Sequence, residues 1–303
     1  MREFIKSLSG HSGCRLYLYK DSDRIFIRKD AGHKDYNNRL KKQFVKQKKF
    51  NLKDINTPKI YTYGLNENGV FYFDMEYING ITLSEYMRII KVKKIVTLIN
   101  LLFENLPISK NMKIGGGTSQ IIFQKKLCAL KKNLDKLNIS NIYTERALEI
   151  LQTFDFNKIP YSPCCGDLTL ENIIIDSNGR VFLIDLLDSF YNSWMIDIAK
   201  LLQDLELSWS YRKDKKVDYD LNLRLAIAKQ VLLENLVTLE NSNEIISSIY
   251  HLLLLNVLRI YPYTKDKDTF YFLDKSVYKV LGIIEDLKKN IKVVNNSINI
   301  AQV

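Results

Sequence analysis

Three polar residues near the middle of the chain, Asp167, Asn172 and Asp185, have types and spacing suited to a cation and phosphate groups. Asn172 and Asp185 flank two short apolar runs, and Asn178-Gly179 between the runs is a strong hairpin signal. If those two residues form the whole loop, counting outward places Asn172 directly opposite Asp185, with Cβ atoms roughly 4.5–5.5 Å apart. An amide oxygen and a carboxylate at one end of a hairpin suit a hard cation such as Mg²⁺.

The spacing Asp-x4-Asn is not specific by itself, because it recurs at Asp74 and Asn79. That second copy lies in an aromatic strand pattern, and no carboxylate follows it across a predicted hairpin. The alternative for residues 167–185 is a surface β-hairpin with ordinary polar turn residues. We favour the site because the segments on either side of it also fit.

The composition is that of a soluble globular protein. Of the 303 residues 46% are hydrophobic and 26% are charged, which is enough for a real core. No uninterrupted apolar run approaches the ~18 residues of a membrane span, and the N-terminus lacks the apolar segment of a signal peptide. The four cysteines show no paired metal spacing, and only three histidines are present. We therefore expect a reduced, cytoplasmic protein without a histidine-based zinc site.

The net charge of +11 is unevenly distributed. Residues 186–303 contain 15 basic and 15 acidic side chains, so the whole excess lies in residues 1–185. Basic runs such as the one from Arg39 to Lys53 could bind a polyanion. We favour a solvated helix face and expect no nucleic-acid partner, which leaves a polyanion-associated protein as an alternative.

Hydrophobic alternation predicts five strands in the first 77 residues, with one helix over 37–50 between the third and the fourth. After Asn79-Gly80 the pattern becomes helical, and Thr82-Leu83-Ser84-Glu85 is a capping box that marks a helix start. We predict an α+β, bilobal fold. A small β-rich lobe would span 1–78, and a large helical lobe that includes the hairpin would span 79–303.

The order of these parts resembles the protein-kinase-like fold, and specifically the aminoglycoside and choline phosphotransferase group of small-molecule kinases. Residues 165–172, Cys-Gly-Asp-Leu-Thr-Leu-Glu-Asn, resemble that group's catalytic loop, and Ile184-Asp185 resembles its metal-binding segment. Residues 197–199, Asp-Ile-Ala, resemble its D-x-A element, and residues 75–80 resemble its hinge between lobes. The resemblance covers nearly the whole chain and is most specific over 165–199.

The resemblance implies catalytic roles for five residues. Asp167 would orient the acceptor hydroxyl and accept its proton, and Asn172 and Asp185 would hold Mg²⁺ on the nucleotide phosphates. Lys29 would pair with the phosphates, because strand alternation puts only one of Arg28 and Lys29 on the nucleotide face. Asp197 would brace the catalytic loop, with a helix-capping role as the alternative.

The nucleotide, ATP or GTP, would be held by backbone groups if the resemblance extends to the small lobe. The C=O of Glu76 and the N–H of Ile78 would bond the edge of the base. The loop that contains Gly10, Ser12 and Gly13 would cover the phosphates through its N–H groups. A plain turn is the alternative for this loop, because two glycines do not make a G-x-G-x-x-G motif.

Two departures from the group's pattern bear on activity. Cys165 replaces the usual histidine, and helix 37–50 has no Glu to pair with Lys29, so Gln43 or Gln47 is the nearest substitute. A neutral amide holds a lysine less firmly than a carboxylate does. A catalytically weak or inactive nucleotide-binding pseudokinase is therefore an alternative to an enzyme.

The acceptor is expected to be a small molecule. Only eleven residues separate Asp185 from Asp197, and they contain no Ala-Pro-Glu, which leaves no room for the peptide-docking segment of protein kinases. We expect transfer to a hydroxyl of a sugar, amino alcohol or aminoglycoside-like molecule, and the charge-neutral 186–303 segment favours the first two. Candidates for the acceptor pocket, with a core position as the alternative for each aromatic, are Asp188, Tyr191, Trp194, Arg259, Tyr261 and Tyr263.

Overall fold

A computed structural model describes residues 2–8, 13–22, 24–108, 118–214, 216 and 218–300, with the backbone alone described from residue 290 onward. The chain divides into two compact units. The first comprises Met1–Tyr86 with Cys165–Ser189, and the second comprises Met87–Cys164 with Phe190–Val303. The lobe boundary at 78/79 stays a prediction. The hairpin, which we assigned to the large lobe, groups with the N-terminal residues.

The first unit contains a five-stranded antiparallel sheet with one helix packed on it, as predicted. The strand order is β1-β2-β3-β5-β4, with β1 Arg2–Leu8, β2 Arg15–Asp21, β3 Arg24–Asp30, β4 Ile60–Leu65 and β5 Phe71–Glu76. Helix α1 (Asn37–Lys49) buries Leu40, Gln43, Phe44 and Gln47, whose spacing is that of one helix face. The ring of Phe44 packs 5.7 Å from that of Phe73 in β5, which joins helix and sheet in one core.

A smaller antiparallel sheet explains why the hairpin belongs to this unit. Its order is β6-β7-β8, with β6 Gly80–Thr82, β7 Ile173–Asp176 and β8 Val181–Leu183. The predicted capping box forms at the start of α2 (Leu83–Tyr86). Thr82 Oγ1 accepts from the Glu85 N–H at 3.2 Å, and the Glu85 carboxylate accepts from the Thr82 N–H at 3.0 Å.

The second unit is built from helices, and the predicted α+β class is confirmed. These are α3 Val92–Glu104, α4 Thr118–Lys136, α5 Ile142–Thr153, α6 Trp194–Leu205, α7 Tyr219–Val237, α8 Ser242–Leu258 and α9 Lys267–Ile300. Helix α8 is buried along almost its whole length, between α6 and α9. The segment Ser242–Tyr263 is long and apolar enough to cross a membrane by length and composition, but 78% of its apolar window is buried, as in the core helix of a globular protein.

His251 in α8 gives the second unit a pH-dependent stability. Its ring stacks on Phe154 with centroids 4.0 Å apart, and its Nδ1 lies 2.7 Å from the Ser247 carbonyl oxygen. Burial lowers the pKa of His251 from 6.5 to about 4. The unfolded chain therefore binds more protons between these two values. The contribution of His251 is fully present above pH 6.5 and is lost as the pH falls towards 4.

We expect this histidine to account for roughly 3 kcal/mol of the acid-induced loss of stability. His251→Phe keeps a ring against Phe154 but cannot take up a proton. Its free energy of unfolding, measured in urea from pH 7 to 4.5, should fall less steeply than that of the wild type. Equal slopes for the two proteins would contradict the prediction.

Candidate active site

Lys29 and Asp185 meet in an ion pair. Lys29 in β3 is only 5% exposed, and its Nζ lies 2.5 Å from Asp185 Oδ1. Lys29 shares a sheet face with Ile27, which packs against the α1 core. The structure thus brings together the predicted phosphate-binding lysine and a predicted metal ligand, which are 156 positions apart in the chain.

Arg28 faces the opposite side of the sheet. Its Nε and Nη2 donate to the two carboxylate oxygens of Asp74 at 2.7 and 2.8 Å, and its guanidinium lies 4.0 Å from the centre of the Tyr72 ring. The hydrogen bond to Asp74 raises the pKa of Arg28. Strand alternation therefore places Lys29, and not Arg28, on the face that meets Asp185, and nucleotide binding on that face stays a prediction. Asp74, the first residue of the second Asp-x4-Asn copy, is therefore the partner of Arg28.

The hairpin register differs by one residue from our prediction. Ile173 pairs with Leu183, and the Ile184 N–H donates to the Asn172 carbonyl at 2.9 Å, so Asn172 faces Ile184 and not Asp185. The reason is a three-residue loop. The Asp176 N–H donates to the Arg180 carbonyl at 3.1 Å, and Gly179 takes φ +78°. Asp176 fixes this loop, because its Oδ1 accepts from the N–H groups of Asn178 and Arg180 at 2.9 and 2.8 Å.

Because the loop has three residues, we expect substitutions at Asn178 and Gly179 to change the free energy of unfolding by unequal amounts. We expect Gly179→Ala to lower the free energy of unfolding by about 1 kcal/mol, because a Cβ there meets open space and only the left-handed backbone opposes it. Asn178 does not have a positive φ, so Asn178→Ala should change stability by less than about 0.5 kcal/mol. In a two-residue type I′ loop both positions need positive φ, so similar costs in urea denaturation would contradict the three-residue loop.

Asp185 reaches Lys29 through an unusual backbone conformation. It takes φ +54°, which is rare for a residue with a side chain. Such strain costs on the order of 1–3 kcal/mol and is concentrated at functional sites. The register alone does not place Asp185 opposite Asn172. The chain turns instead at Asp185, immediately after β8 and Ile184, and this turn directs the carboxylate to Lys29.

The loop from Asp167 to Asn172 is closed by its own hydrogen bonds. Asn172 Nδ2 donates to the Asp167 carbonyl at 2.9 Å and to its Oδ2 at 3.1 Å. The Thr169 N–H donates to the same carbonyl at 2.8 Å. With its nitrogen directed at Asp167, the side chain of Asn172 has its oxygen as the atom that can bind a cation.

The oxygen donors suit Mg²⁺ if phosphate completes the coordination. Within the described parts of the chain, no group of three or more His, Cys, Asp or Glu side chains could hold a metal. Mg²⁺ usually binds through one or two carboxylates together with water and substrate phosphates, rather than in an all-protein cage. Asn172 and Asp185 fit that pattern.

The residues predicted to hold the base and phosphates are only partly described. Glu76 ends β5, where its N–H donates to the Lys59 carbonyl at 2.8 Å, and Ile78 follows as a buried residue. Gly13 is exposed, and a Cβ there would lie 3.1 Å from the Tyr36 ring. Gly10 and Ser12 lie outside the described residues. Backbone contacts of all five residues with a nucleotide stay predictions.

The glutamines of α1 do not replace the missing Glu. Gln47 Nε2 donates to the Pro58 carbonyl at 2.9 Å, and Gln43 is buried beside Tyr36. Lys29 takes Asp185 as its partner instead. The partner of Lys29 is thus the Asp185 carboxylate, which is 31% exposed, and not a glutamine amide as we expected. An ion pair holds the lysine more firmly than a neutral hydrogen bond would.

Several acceptor-pocket candidates are core residues. Trp194 and Tyr261 are 0% exposed, and the Tyr261 hydroxyl donates to Asp274 at 2.8 Å. Tyr191 is also buried, with its hydroxyl donating to the Ile159 carbonyl at 3.0 Å. Packing and hydrogen bonding occupy these three side chains, as the core alternative for each aromatic expects, and their contact with an acceptor stays a prediction.

The other three candidates for the acceptor pocket are not core residues. Tyr263 is 83% exposed, and the Arg259 guanidinium lies 5.2 Å from the centre of the Phe190 ring. Asp188 belongs to the first unit and pairs with Lys42 of α1 at 3.2 Å. Their contact with an acceptor stays a prediction.

Asp197 is fully buried in the first turn of α6. The N-cap of this helix is Ser193, whose Oγ accepts from the Met195 N–H at 3.3 Å, so the capping alternative for Asp197 was wrong. Its role as a brace for the catalytic loop stays a prediction.

Lys46 is the site residue that the sequence did not suggest. Its Nζ donates to the Leu187 carbonyl at 2.6 Å, two residues after Asp185. It belongs to the basic run that we interpreted as a solvated helix face. The only signal for it was its spacing from the buried positions of α1, which places it at the edge of the packed face.

Comparisons with known proteins find similarity in structure alone. No family model and no curated protein matches the sequence. The aminoglycoside phosphotransferase APH(4)-Ia is similar in structure with a TM-score of 0.62, at 12% identity over 93% of each chain. A thermostable mutant of that enzyme, in a ternary complex with ADP and hygromycin B, matches with a TM-score of 0.57, also at 12% identity over 93% of each chain. A candidate fructosamine-3-kinase from Haemophilus somnus 129PT gives 0.53, at 15% identity over 92% of each chain.

These matches cover almost the full length of both chains. At such low identity they bear on the fold and not on the reaction. The chain therefore has the protein-kinase-like fold, in the form found in aminoglycoside phosphotransferases.

Proposed function

We propose that this protein is a Mg²⁺-dependent small-molecule kinase that transfers the γ-phosphoryl group of ATP or GTP to an acceptor hydroxyl. One observation carries the proposal. A single compact unit contains a buried lysine paired with Asp185, together with Asp167 hydrogen-bonded to Asn172. A base, two oxygen ligands for a cation and a lysine are the parts that phosphoryl transfer requires, because its catalysis is mainly positioning and charge neutralisation.

Each residue has a defined task in this proposal. The Asp167 carboxylate orients the acceptor hydroxyl and accepts its proton as the oxygen attacks the γ-phosphorus. Lys29 donates to the nucleotide phosphates, which compete with Asp185 for its ammonium group. Asn172 and Asp185 would hold Mg²⁺, which when bound neutralises phosphate charge. Asn172 also keeps the Asp167 carboxylate in place through its Nδ2.

The acceptor class that we favour is a sugar, an amino alcohol or another metabolite hydroxyl. Supporting this, residues 186–303 are charge-neutral, whereas a pocket for polycationic aminoglycosides should be acidic. The neighbours in structure include one enzyme solved with an aminoglycoside and one candidate sugar-amine kinase, so both acceptor types belong in the test. We also propose a cytoplasmic location, which the four free thiols support.

A screen for ADP and GDP release tests the proposal directly. Purified protein, Mg²⁺ and either nucleotide are incubated with a panel of sugars, amino alcohols and aminoglycosides, and the Asp167→Asn variant serves as the blank. We expect acceptor-dependent release that the blank lacks. If no nucleotide raises the melting temperature and no acceptor stimulates release, the kinase proposal fails.

A nucleotide-binding pseudokinase is the second candidate. Two observations favour it: Cys165 stands where the related catalytic loops have histidine, and α1 offers no carboxylate to Lys29. The two candidates differ in one result. A pseudokinase is stabilised by nucleotide and Mg²⁺ but releases no ADP or GDP with any acceptor, whereas the enzyme does both.

A further inference from the structure

Helix α1 extends two cations to the segment that follows Asp185. Lys42 and Lys46 are four residues apart and therefore lie on the same helix face. Lys42 pairs with the Asp188 carboxylate at 3.2 Å, and Lys46 donates to the Leu187 carbonyl at 2.6 Å. The two contacts are of different strength. The Lys42 pair is exposed and contributes little, whereas Lys46 is half-buried and makes a short charge-assisted hydrogen bond.

Leu187 links the two functional segments. Its N–H donates to the Cys165 carbonyl at 3.0 Å, while its own carbonyl accepts from Lys46. Cys165 precedes Asp167 by two residues, and Leu187 follows Asp185 by two residues. Leu187 thus connects the segment that contains the predicted base to the segment that contains the predicted metal ligand. Lys46 binds Leu187 from helix α1.

The backbone at Gly166 makes room for this contact. Gly166 takes φ +87°, and a Cβ there would lie 2.9 Å from the Leu187 carbonyl oxygen and 3.3 Å from Lys46 Nζ. Any side chain at position 166 would therefore press on the hydrogen bond between Lys46 and Leu187. The ammonium group of Lys46 lies next to the residue immediately before Asp167.

We propose that Lys46 is a positioning residue, which rests on the kinase function proposed above. Through Leu187 it fixes the distance between the Asp167 loop and the Asp185 segment, so that the base and the cation ligands act on one phosphoryl group. A misplacement of about 1 Å between reacting groups can cost roughly 100-fold in rate, so a contact of this kind affects turnover more than binding.

The test compares Lys46→Met with two variants of the same helix. Lys42→Met removes the exposed pair to the neighbouring residue, and Lys48→Met removes a lysine that is exposed on the same helix. Two properties are measured for each: hydrogen–deuterium exchange in peptides that span 163–189, and release of ADP from Mg·ATP, with water or the best acceptor of the screen. Exchange does not depend on turnover, so it tests the contact even if the acceptor is unknown.

We expect Lys46→Met to speed exchange of the Leu187 N–H and to lower kcat by about 10- to 100-fold, with KM for Mg·ATP changed by less than about threefold. Both controls should stay close to wild type. Lys46→Arg, which keeps a cationic donor, should recover part of kcat. A structural role alone would lower the melting temperature without this separation of kcat from KM.

Three results would overturn the inference. Unchanged exchange in Lys46→Met would show that the contact does not hold the loop. Faster exchange with wild-type kcat would show that the contact does not position the reacting groups. Equal losses of kcat in Lys42→Met and Lys46→Met would assign the effect to helix charge in general. If the wild type shows neither nucleotide binding nor turnover, the kinase proposal fails, and the exchange result alone then decides whether Lys46 clamps the loop.

Discussion

Replacement of Asp167 by asparagine is expected to lower acceptor-dependent turnover by about 10²–10⁴-fold, the usual size of a general-base contribution. Asparagine is a better test than alanine, because it preserves a hydrogen bond within the loop. Asn172 Nδ2 donates to Asp167 Oδ2 at 3.1 Å, and an amide oxygen at position 167 can still accept that bond. The variant therefore keeps this hydrogen bond and loses the carboxylate that takes the proton. Asp167→Ala loses both the side-chain bond and the carboxylate, and keeps only the bonds to the backbone carbonyl at 167.

Nucleotide binding separates this prediction from a general loss of structure. Lys29 and Asp185, which face the phosphates in our proposal, remain in Asp167→Asn, so the stabilisation by nucleotide and Mg²⁺ should match that of the wild type. Glu171→Gln is the matched control, because it removes a carboxylate from the same loop. Wild-type turnover in Asp167→Asn, or an equal loss in Glu171→Gln, would show that Asp167 is not the base.

The arrangement of the first unit could be predicted because short-range rules decide it. Alternation along β3 puts Arg28 and Lys29 on opposite faces whatever the rest of the chain does. The capping box at Thr82 and Glu85 is likewise a local pattern of side chain and backbone. Both predictions hold because each depends on residues that are close in the chain and not on distant contacts.

The hairpin register could not be predicted from Asn178-Gly179 alone. That dipeptide fits a two-residue loop and also a three-residue loop in which only the glycine takes positive φ. Here the Asp176 carboxylate decides, because it accepts from two N–H groups inside the loop. The resulting shift by one residue would have removed Asp185 from the site if Asp185 had continued the strand. Its left-handed backbone restores the approach to Lys29.

Contacts between residues that are far apart in the chain were the part of the site that could not be predicted from the sequence. Lys46 looked like its neighbours in a basic run, and nothing in the local sequence says that its ammonium group reaches Leu187, 141 positions away. The aromatic residues of the second unit present the converse difficulty. Trp194 and Tyr261 have the types that line ligand pockets, yet the same types fill cores, and only the packing distinguishes the two.

Replacement of Asp185 by alanine is expected to abolish the Mg²⁺-dependent stabilisation by nucleotide. At a nucleotide concentration about 100 times Kd, the wild type should gain about 2.7 kcal/mol in free energy of unfolding. Asp185→Ala lacks the predicted carboxylate ligand, so the gain in the presence of Mg²⁺ should fall to that seen with EDTA. The measurement is thermal or urea unfolding with ATP or GTP, with and without Mg²⁺.

Asp185→Ala should also lower the free energy of unfolding in the absence of nucleotide. Asp185 is the partner of a lysine that is 5% exposed, and removal of one member of such a pair costs up to several kcal/mol when both are buried. Because the Asp185 side chain is 31% exposed, we expect a smaller loss, about 1–2 kcal/mol. The double variant Lys29→Met/Asp185→Ala should recover most of this stability, since it leaves no buried ammonium group without its carboxylate.

The double variant decides between two explanations of a lost nucleotide response. If Asp185 serves only to neutralise Lys29, Lys29→Met/Asp185→Ala is stable and its response to Mg²⁺ and nucleotide resembles that of Lys29→Met alone. If Asp185 also binds the cation, Lys29→Met retains part of the Mg²⁺ dependence and the double variant has none. Retention of the full Mg²⁺-dependent gain in Asp185→Ala would place the cation at other residues and remove the strongest support for phosphoryl transfer at this site.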